Sequence, residues 1–96
     1  MSNAKMIKLS GKLMCSNQQE VALVERYLDE HRRLTREESG CLSFDVSATA
    51  DPLIWKVEEL FSSKEAFNAH QLRTKSSEWG IQTRSIVREY QITELE

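Results

Sequence analysis

A chain of 96 residues is long enough for one hydrophobic core and too short for two, so a multidomain protein is excluded. Charged residues make up 29% and hydrophobic residues 40%, with three Gly and one Pro, which excludes a disordered or collagen-like chain. The net charge of -2 leaves no surplus of positive charge for a phosphate backbone, so nucleic-acid binding is not expected.

The sequence shows no targeting or membrane signal. No apolar run approaches the ~20 residues needed to cross a bilayer, and the N-terminus lacks the hydrophobic stretch of a signal peptide. We therefore expect a cytoplasmic protein without membrane contact. Residues 1–5 are predicted to be a tag remnant or a disordered N-terminus, since Met1-Ser2-Asn3-Ala4 looks like what remains of an expression tag after cleavage. Residues 6–96 are predicted to form the single domain.

The first two predicted elements are a strand and a long helix. From Met6 to Cys15 apolar and polar residues alternate, which predicts a half-buried strand. Ser16, with a Gln three residues later, fits the capping box of a following helix. The helix has an apolar stripe at three- and four-residue steps, and His31 on this stripe is interpreted as a satisfied core histidine. Gly40 is expected to end the helix near Ser39 in the left-handed conformation.

A hairpin is predicted next. Apolar residues at positions 42, 44 and 46 alternate with polar ones and predict the second strand. Ala50-Asp51-Pro52 is typical of a turn. The third strand is predicted from about Leu53 to Phe61, with alternate residues on one face. That face carries Trp55, Val57, Glu59 and Phe61.

The last third of the chain predicts a helix, a short irregular segment and a strand. Ser62-Ser63-Lys64-Glu65 fits a capping box, and the helix that follows carries Phe67 and His70 on one side and is expected to fray near Leu72. A short helix is expected around Glu78-Trp79. Ile86–Thr93 is predicted to be the final strand.

The order strand, helix, strand, strand, helix, strand predicts an α+β, ferredoxin-like βαββαβ fold with a four-stranded antiparallel sheet and helices on one face. In this topology Cys15 and Cys41 lie at opposite ends of the sheet, so both are expected to be reduced thiols. The outward sheet face is only partly apolar. It is expected to carry Lys8, Lys12, Lys56 and Arg88 beside Ile54, Leu60 and Tyr90.

The candidate catalytic residues are Glu59 and His70. The register that buries Trp55 and Val57 also points Glu59 toward the helices, where an isolated charge would cost several kcal/mol. His70 shares the inward face of the second helix with Phe67, so it is the available partner. A carboxylate beside an imidazole can act as an acid/base unit near neutral pH. A buried pair with a purely structural role remains the alternative.

Other side chains are weaker candidates. Trp55 and Trp79 could form aromatic walls around a planar ligand, or serve only as core residues. Arg73 could bind an anionic or phenolate oxygen, or be a solvated surface cation. Two isolated histidines do not specify a metal site, and no Gly-rich loop matches a nucleotide-binding pattern. Neither a metal nor a resident cofactor is therefore expected.

The segment from Trp55 to His70, with a strand Glu, an aromatic residue two positions later and a His on the second helix, resembles the antibiotic biosynthesis monooxygenase (ABM) family. Residues 40–46 and Asp51-Pro52 look like that family's second strand and turn. The resemblance implies a homodimeric α/β barrel with one pocket per subunit, and cofactor-independent oxidation of a quinol or polyketide phenol by molecular oxygen.

The resemblance also implies roles for single residues. His70 would be the base or proton relay and Glu59 its orienting partner. The aromatic walls of the substrate pocket would be Trp55, Trp79, Phe44 and Phe61. Heme-degrading relatives look for a Trp at the position of Phe61 and a heme-ligating His after the second helix, and this sequence has neither.

Three functions are therefore compatible with the sequence. The first is a monooxygenase that oxidises a small hydroxylated aromatic through its anion. The second is a non-catalytic dimeric module that binds a small molecule or serves a stress response. The third is an isomerase that uses the same acid/base pair without oxygen.

Overall fold

The computed structural model describes residues 5–95. The predicted tag remnant, Met1-Ser2-Asn3-Ala4, lies outside the described residues. The elements follow in the order β1 (Met6–Met14), α1 (Gln18–Arg36), β2 (Cys41–Ala48), β3 (Ile54–Phe61), α2 (Lys64–Ser76), α3 (Glu78–Gln82) and β4 (Val87–Leu95). None of the described helices combines the length and the apolar character that crossing a bilayer requires.

The four strands form one antiparallel sheet in the order β2-β3-β1-β4. Strands β1 and β3 are the central pair, and the helices pack on one face. The predicted ferredoxin-like α+β fold is confirmed. The central position of β1 and β3 matters for function, because side chains on their inner face are covered by helices and withdrawn from water.

The core lies between the sheet and the helices, and it follows from two periodicities. Every second residue of the central strands points inward, so Leu9, Leu13 and Val57 are almost fully buried. Helix α1 adds Val24 and Leu28 from its apolar stripe. Glu59 shares the inward register of β3, which brings a carboxylate into this apolar layer.

Helix ends differ from the predictions by a few residues. Helix α1 is capped by Asn17 rather than Ser16, because the Asn17 side chain accepts the Glu20 N–H at 2.9 Å. Similarly, Ser63 caps α2. Helix α2 does not fray near Leu72 but continues to Ser76, since the buried His70 and the packing of α3 hold its last turn.

Gly40 was expected in the left-handed conformation, and this is wrong. Helix α1 already ends at Arg36, and Gly40 has no positive φ. A side chain at Gly40 would collide with Ala66 on α2. The glycine is therefore needed for close approach of the two segments, which also share a 2.8 Å hydrogen bond from the Ser62 N–H to the Gly40 carbonyl.

The structure places Arg88 and Tyr90 of β4 on the opposite face of the sheet from the one predicted. Arg88 pairs with the buried Leu13, and Tyr90 pairs with Gly11, so both side chains lie on the helix-covered face rather than the outward face. Both cysteines are free thiols, as predicted.

Candidate functional site

A cavity of about 320 Å³ lies between the sheet and helices α2 and α3. This volume is at the lower end of the range for small-molecule sites, so it suits a small ligand. Its lining combines aromatic, titratable and apolar side chains from the sheet and from all three described helices. They include Leu9, His31, Glu59, His70, Trp79 and Tyr90.

Glu59 and His70 both line this cavity, as the sequence predicted from the register of β3 and the inward face of α2. The Glu59 Oε1 and His70 Nε2 atoms are 3.6 Å apart, slightly beyond hydrogen-bond distance. Both side chains are almost fully buried, at 7% and 2% exposure. The two atoms face each other without a hydrogen bond between them. A substrate hydroxyl can therefore bind next to both groups, and either group can accept its proton.

His70 takes its hydrogen bond from a residue that the sequence did not single out. The His70 Nδ1 lies 2.9 Å from Glu38 Oε1, just beyond the end of α1. The other Glu38 oxygen accepts from Arg73 Nε, and the Arg73 Nη2 donates to Thr35 Oγ1 at 3.1 Å. Glu38 is therefore the hydrogen-bond partner of Nδ1, whereas Glu59 faces the other ring nitrogen at 3.6 Å. No periodic pattern marks Glu38, because it follows the last turn of its helix.

The electrostatics of Glu59 differ from those of a surface carboxylate. Burial raises its pKa from the ordinary value of 4.5 to about 7, and the negative charge of Glu38 acts in the same direction. The Arg88 guanidinium opposes this shift. The Glu59 Oε1 atom is buried and has no hydrogen-bond partner among residues 5–95. A carboxyl that titrates near neutral pH and is left unpartnered at a cavity is typical of a functional group.

Replacing Glu59 by Gln is expected to stabilise the fold at high pH. Because the folded state holds the Glu59 proton more tightly than the unfolded chain, stability falls as pH rises from 4.5 to about 7, by about 3 kcal/mol in all. The neutral Gln removes this loss. Urea unfolding should therefore give Glu59→Gln an advantage of up to about 3 kcal/mol at pH 8 and little advantage at pH 4.5.

The matched control is Glu89→Gln, which removes an exposed carboxylate from β4, an edge strand of the same sheet. It should change stability by less than about 0.5 kcal/mol at either pH. An equal effect of Glu59→Gln at pH 4.5 and pH 8 would contradict the raised pKa.

His70 is a neutral imidazole near pH 7. Burial lowers its pKa, although the charge and hydrogen bond of Glu38 act in the opposite direction. Because a carboxylate oxygen only accepts, Nδ1 carries the proton and Nε2 is left as an acceptor. The Thr74 hydroxyl lies 3.4 Å from Nε2, on the same side as Glu59. His70 thus turns its basic nitrogen toward the cavity.

His31 also lines the cavity, and its interpretation as a satisfied core histidine is only half right. Its ring stacks on Trp79 at 4.9 Å with an interplanar angle of 3° and meets the edge of Phe44 at 5.3 Å. The buried Nδ1 atom, however, has no hydrogen-bond partner in the described part of the chain. Burial lowers the His31 pKa to about 3, so this residue is a neutral wall and not a base.

The structure brings together only some of the predicted substrate contacts. Trp79 lines the cavity, whereas Trp55, Phe44, Phe61 and Arg73 are not among the residues that line it. Trp55 lies four residues from Glu59 along β3, about 13 Å away. Phe61 packs against His70, with 4.8 Å between the two ring centroids. Arg73 holds Glu38.

Three cations line the same cavity and were missed as site residues. Lys75 comes from the end of α2, and Arg84 and Arg88 come from the segment around the start of β4. The Arg88 guanidinium is held by the Thr83 carbonyl at 2.8 Å and the Ile86 carbonyl at 3.0 Å. These charges favour an anionic ligand or intermediate. The alternation of β4 was the available signal for Arg88.

Within residues 5–95, no three His, Cys, Asp or Glu side chains are grouped as a metal site would require. The cavity is lined by one carboxyl, Glu59, and by the imidazoles of His70 and His31, and cations flank these groups. This arrangement is suited to proton transfer and to holding a negatively charged oxygen.

These features define a class of protein: a ferredoxin-like α+β domain with an acid/base pair at a small cavity beneath its helices. The sequence profile of the antibiotic biosynthesis monooxygenase family matches residues 6–79, and the chain belongs to this family. The resemblance predicted from the third strand and second helix is therefore confirmed. Among curated proteins, no sequence matches this chain.

Solved structures share the fold over nearly the whole chain. A candidate antibiotic biosynthesis monooxygenase from Caulobacter crescentus has a TM-score of 0.73 and 16% identity, over 97% of this chain and 92% of its own. One from Nitrosomonas europaea has a TM-score of 0.73 and 16% identity, over 98% and 93%. Rv0793 from Mycobacterium tuberculosis has a TM-score of 0.68 and 22% identity, over 95% and 93%. At these identities the similarity shows the common fold.

Proposed function

We propose that the protein is a cofactor-independent monooxygenase that oxidises a small hydroxylated aromatic, such as a quinol, through its anion. The observation that carries the proposal is the Glu59 Oε1 atom, which has no hydrogen-bond partner among residues 5–95 and faces the His70 Nε2 atom at a cavity. A structural ion pair would form its hydrogen bond, whereas Glu59 Oε1 and His70 Nε2 are 3.6 Å apart and Glu59 Oε1 is left as an open acceptor. Family membership supports the same chemistry.

The first step is removal of a proton from a substrate hydroxyl. His70 is the base, because its Nε2 is unprotonated while Nδ1 donates to Glu38. Glu59 shares this proton, since its raised pKa of about 7 is close to working pH. The resulting phenolate is stabilised by the cations at the cavity, above all by the fixed guanidinium of Arg88.

The second step needs only oxygen. The electron-rich anion transfers an electron to O₂, and the two radicals combine to form a C–O bond at a ring carbon. The hydroperoxide then breaks its O–O bond and loses water, with the proton returned from His70. A hydroquinone and one O₂ give a hydroxyquinone and one water, so the substrate supplies all four electrons. No external reductant is required.

We further propose that the protein works as a cytoplasmic homodimer that pairs through the sheet face opposite the helices. Apolar side chains remain on this face, including Ile54, Leu60 and Val87, and Val87 is 54% exposed. A small domain gains stability by covering such residues. Sedimentation velocity should give twice the mass of one chain, and a monomer at micromolar concentration would contradict the dimer.

The proposal is tested by oxygen uptake. Purified protein is incubated with a panel of hydroquinones under ¹⁸O₂, with heat-inactivated protein as the autoxidation blank. The expected result is enzyme-dependent oxygen uptake and one ¹⁸O atom in the product. Conversion that persists without oxygen would establish the isomerase instead. Binding without any conversion would establish the non-catalytic module.

A further inference from the structure

His70 separates two cavities. On its Nε2 side lies the cavity described above, and on its Nδ1 side lies a second cavity of about 330 Å³. The second cavity is lined by Glu38, Gly40, Ala66 and Arg73 in addition to His70. His70 is itself 2% exposed, whereas the Glu38 side chain is 21% exposed. Glu38 therefore connects the buried imidazole with the surface.

Glu38 has both oxygens committed. One accepts from His70 Nδ1 at 2.9 Å, and the other accepts from Arg73 Nε. Arg73 can only donate, so the oxygen that faces it must be an acceptor. Because Glu38 is paired with Arg73 as a carboxylate, its other oxygen is also an acceptor and can accept a His70 N–H.

We infer that Glu38 is a positioning residue, which holds His70 in the tautomer with the proton on Nδ1 and so keeps Nε2 available as the base. The inference rests on the proposed function, because it assigns the residue that prepares the base for the same reaction. In this role Glu38 does not contact the substrate. It lines the second cavity and affects the reaction only through its hydrogen bond to the His70 imidazole.

The other groups around His70 do not set the tautomer. Glu59 Oε1 is 3.6 Å from Nε2, and Thr74 Oγ1 is 3.4 Å from it, so both lie on the cavity side. The His31 ring centroid is 5.8 Å away and carries no charge near pH 7. Arg73 adds a positive charge near His70 but binds Glu38 rather than the ring. Only Glu38 is within 3.0 Å of a ring nitrogen among the described residues.

The decisive variant is Glu38→Gln. Arg73 will face the amide oxygen, because the amide NH₂ cannot accept from it, and the NH₂ will therefore face His70 Nδ1. This arrangement moves the ring proton to Nε2 and removes the free base. In ¹⁵N NMR spectra of the imidazole, wild-type His70 should show a protonated Nδ1, and Glu38→Gln a protonated Nε2. Glu37→Gln, an exposed neighbour that pairs with Arg33, is the matched control and should leave the tautomer unchanged.

The same variants separate a positioning role from a structural one. Glu38→Gln should lower kcat for hydroquinone oxidation about 100-fold and change its pH profile, while Glu37→Gln keeps both. Glu38→Ala leaves a space beside Arg73 that formate can enter, and formate should restore both the rate and the Nδ1–H tautomer. A wild-type tautomer in Glu38→Gln, or failure of formate to restore it in folded Glu38→Ala, would overturn the inference. The NMR measurement needs no substrate, so absence of oxygen uptake in the wild type would overturn only the proposed function.

Discussion

Replacing His70 by Ala is expected to lower the rate of quinol-dependent oxygen uptake by 10²–10⁴-fold, the range for loss of a general base. The reason is geometric. His70 Nε2 faces Glu59 at 3.6 Å, and His70 lines the cavity. The measurement is kcat/KM from an oxygen electrode, corrected for autoxidation.

The control for this variant lies on the same helix. Leu72 is 74% exposed, so Leu72→Ala should retain the wild-type rate. His70→Gln keeps more of the side-chain volume and guards against a variant that does not fold. Free imidazole added to folded His70→Ala should restore part of the activity. An unchanged rate in both His70 variants would remove the acid/base mechanism.

The second large effect that we expect is a loss of folding stability in acid, caused by the buried His31. Its pKa is about 3 in the folded protein and 6.5 in the unfolded chain, so below pH 6.5 the unfolded chain takes up a proton that the folded protein cannot. Stability is therefore lost as pH falls from 6.5 toward 3, by about 5 kcal/mol in all. His31→Phe retains a ring between Trp79 and Phe44 and removes the titrating group.

The measurement is a difference between His31→Phe and wild type, because Glu59 titrates in the opposite sense over part of the same range. From pH 7.5 to pH 4.5, His31→Phe should gain about 3 kcal/mol relative to wild type in urea unfolding. The His70 contribution is present in both proteins and cancels to first order. A gain that is the same at both pH values would show that the imidazole is not the source.

The meeting of Glu59 and His70 at one cavity was predictable because it depends on two short-range patterns. A strand repeats every two residues, so burial of Val57 also buries Glu59. A helix brings residues three apart to one face, so Phe67 and His70 are both inward. The family resemblance was carried by the same segment, and it is confirmed over residues 6–79.

The partner of His70 was not predictable in this way. Glu38 and His70 are 32 positions apart, and Glu38 lies outside any regular element. Its contact depends on the close approach of Gly40 to Ala66, which brings the segment after α1 against α2. Arg88 and Tyr90 were assigned to the outward face, because the side on which an edge strand faces the core depends on its pairing with Gly11 and Leu13.

The amino-acid sequence by itself determined the family, the order of the elements and the burial of one acid and one imidazole, since local periodicity and capping decide which side chains face inward. Only the tertiary structure decided which groups meet. The distance from His70 to Glu38, the stacking of His31 on Trp79 and the arrival of Arg88 at the cavity depend on how separate elements pack. Packing is set by the shapes of many side chains together, which no local pattern contains.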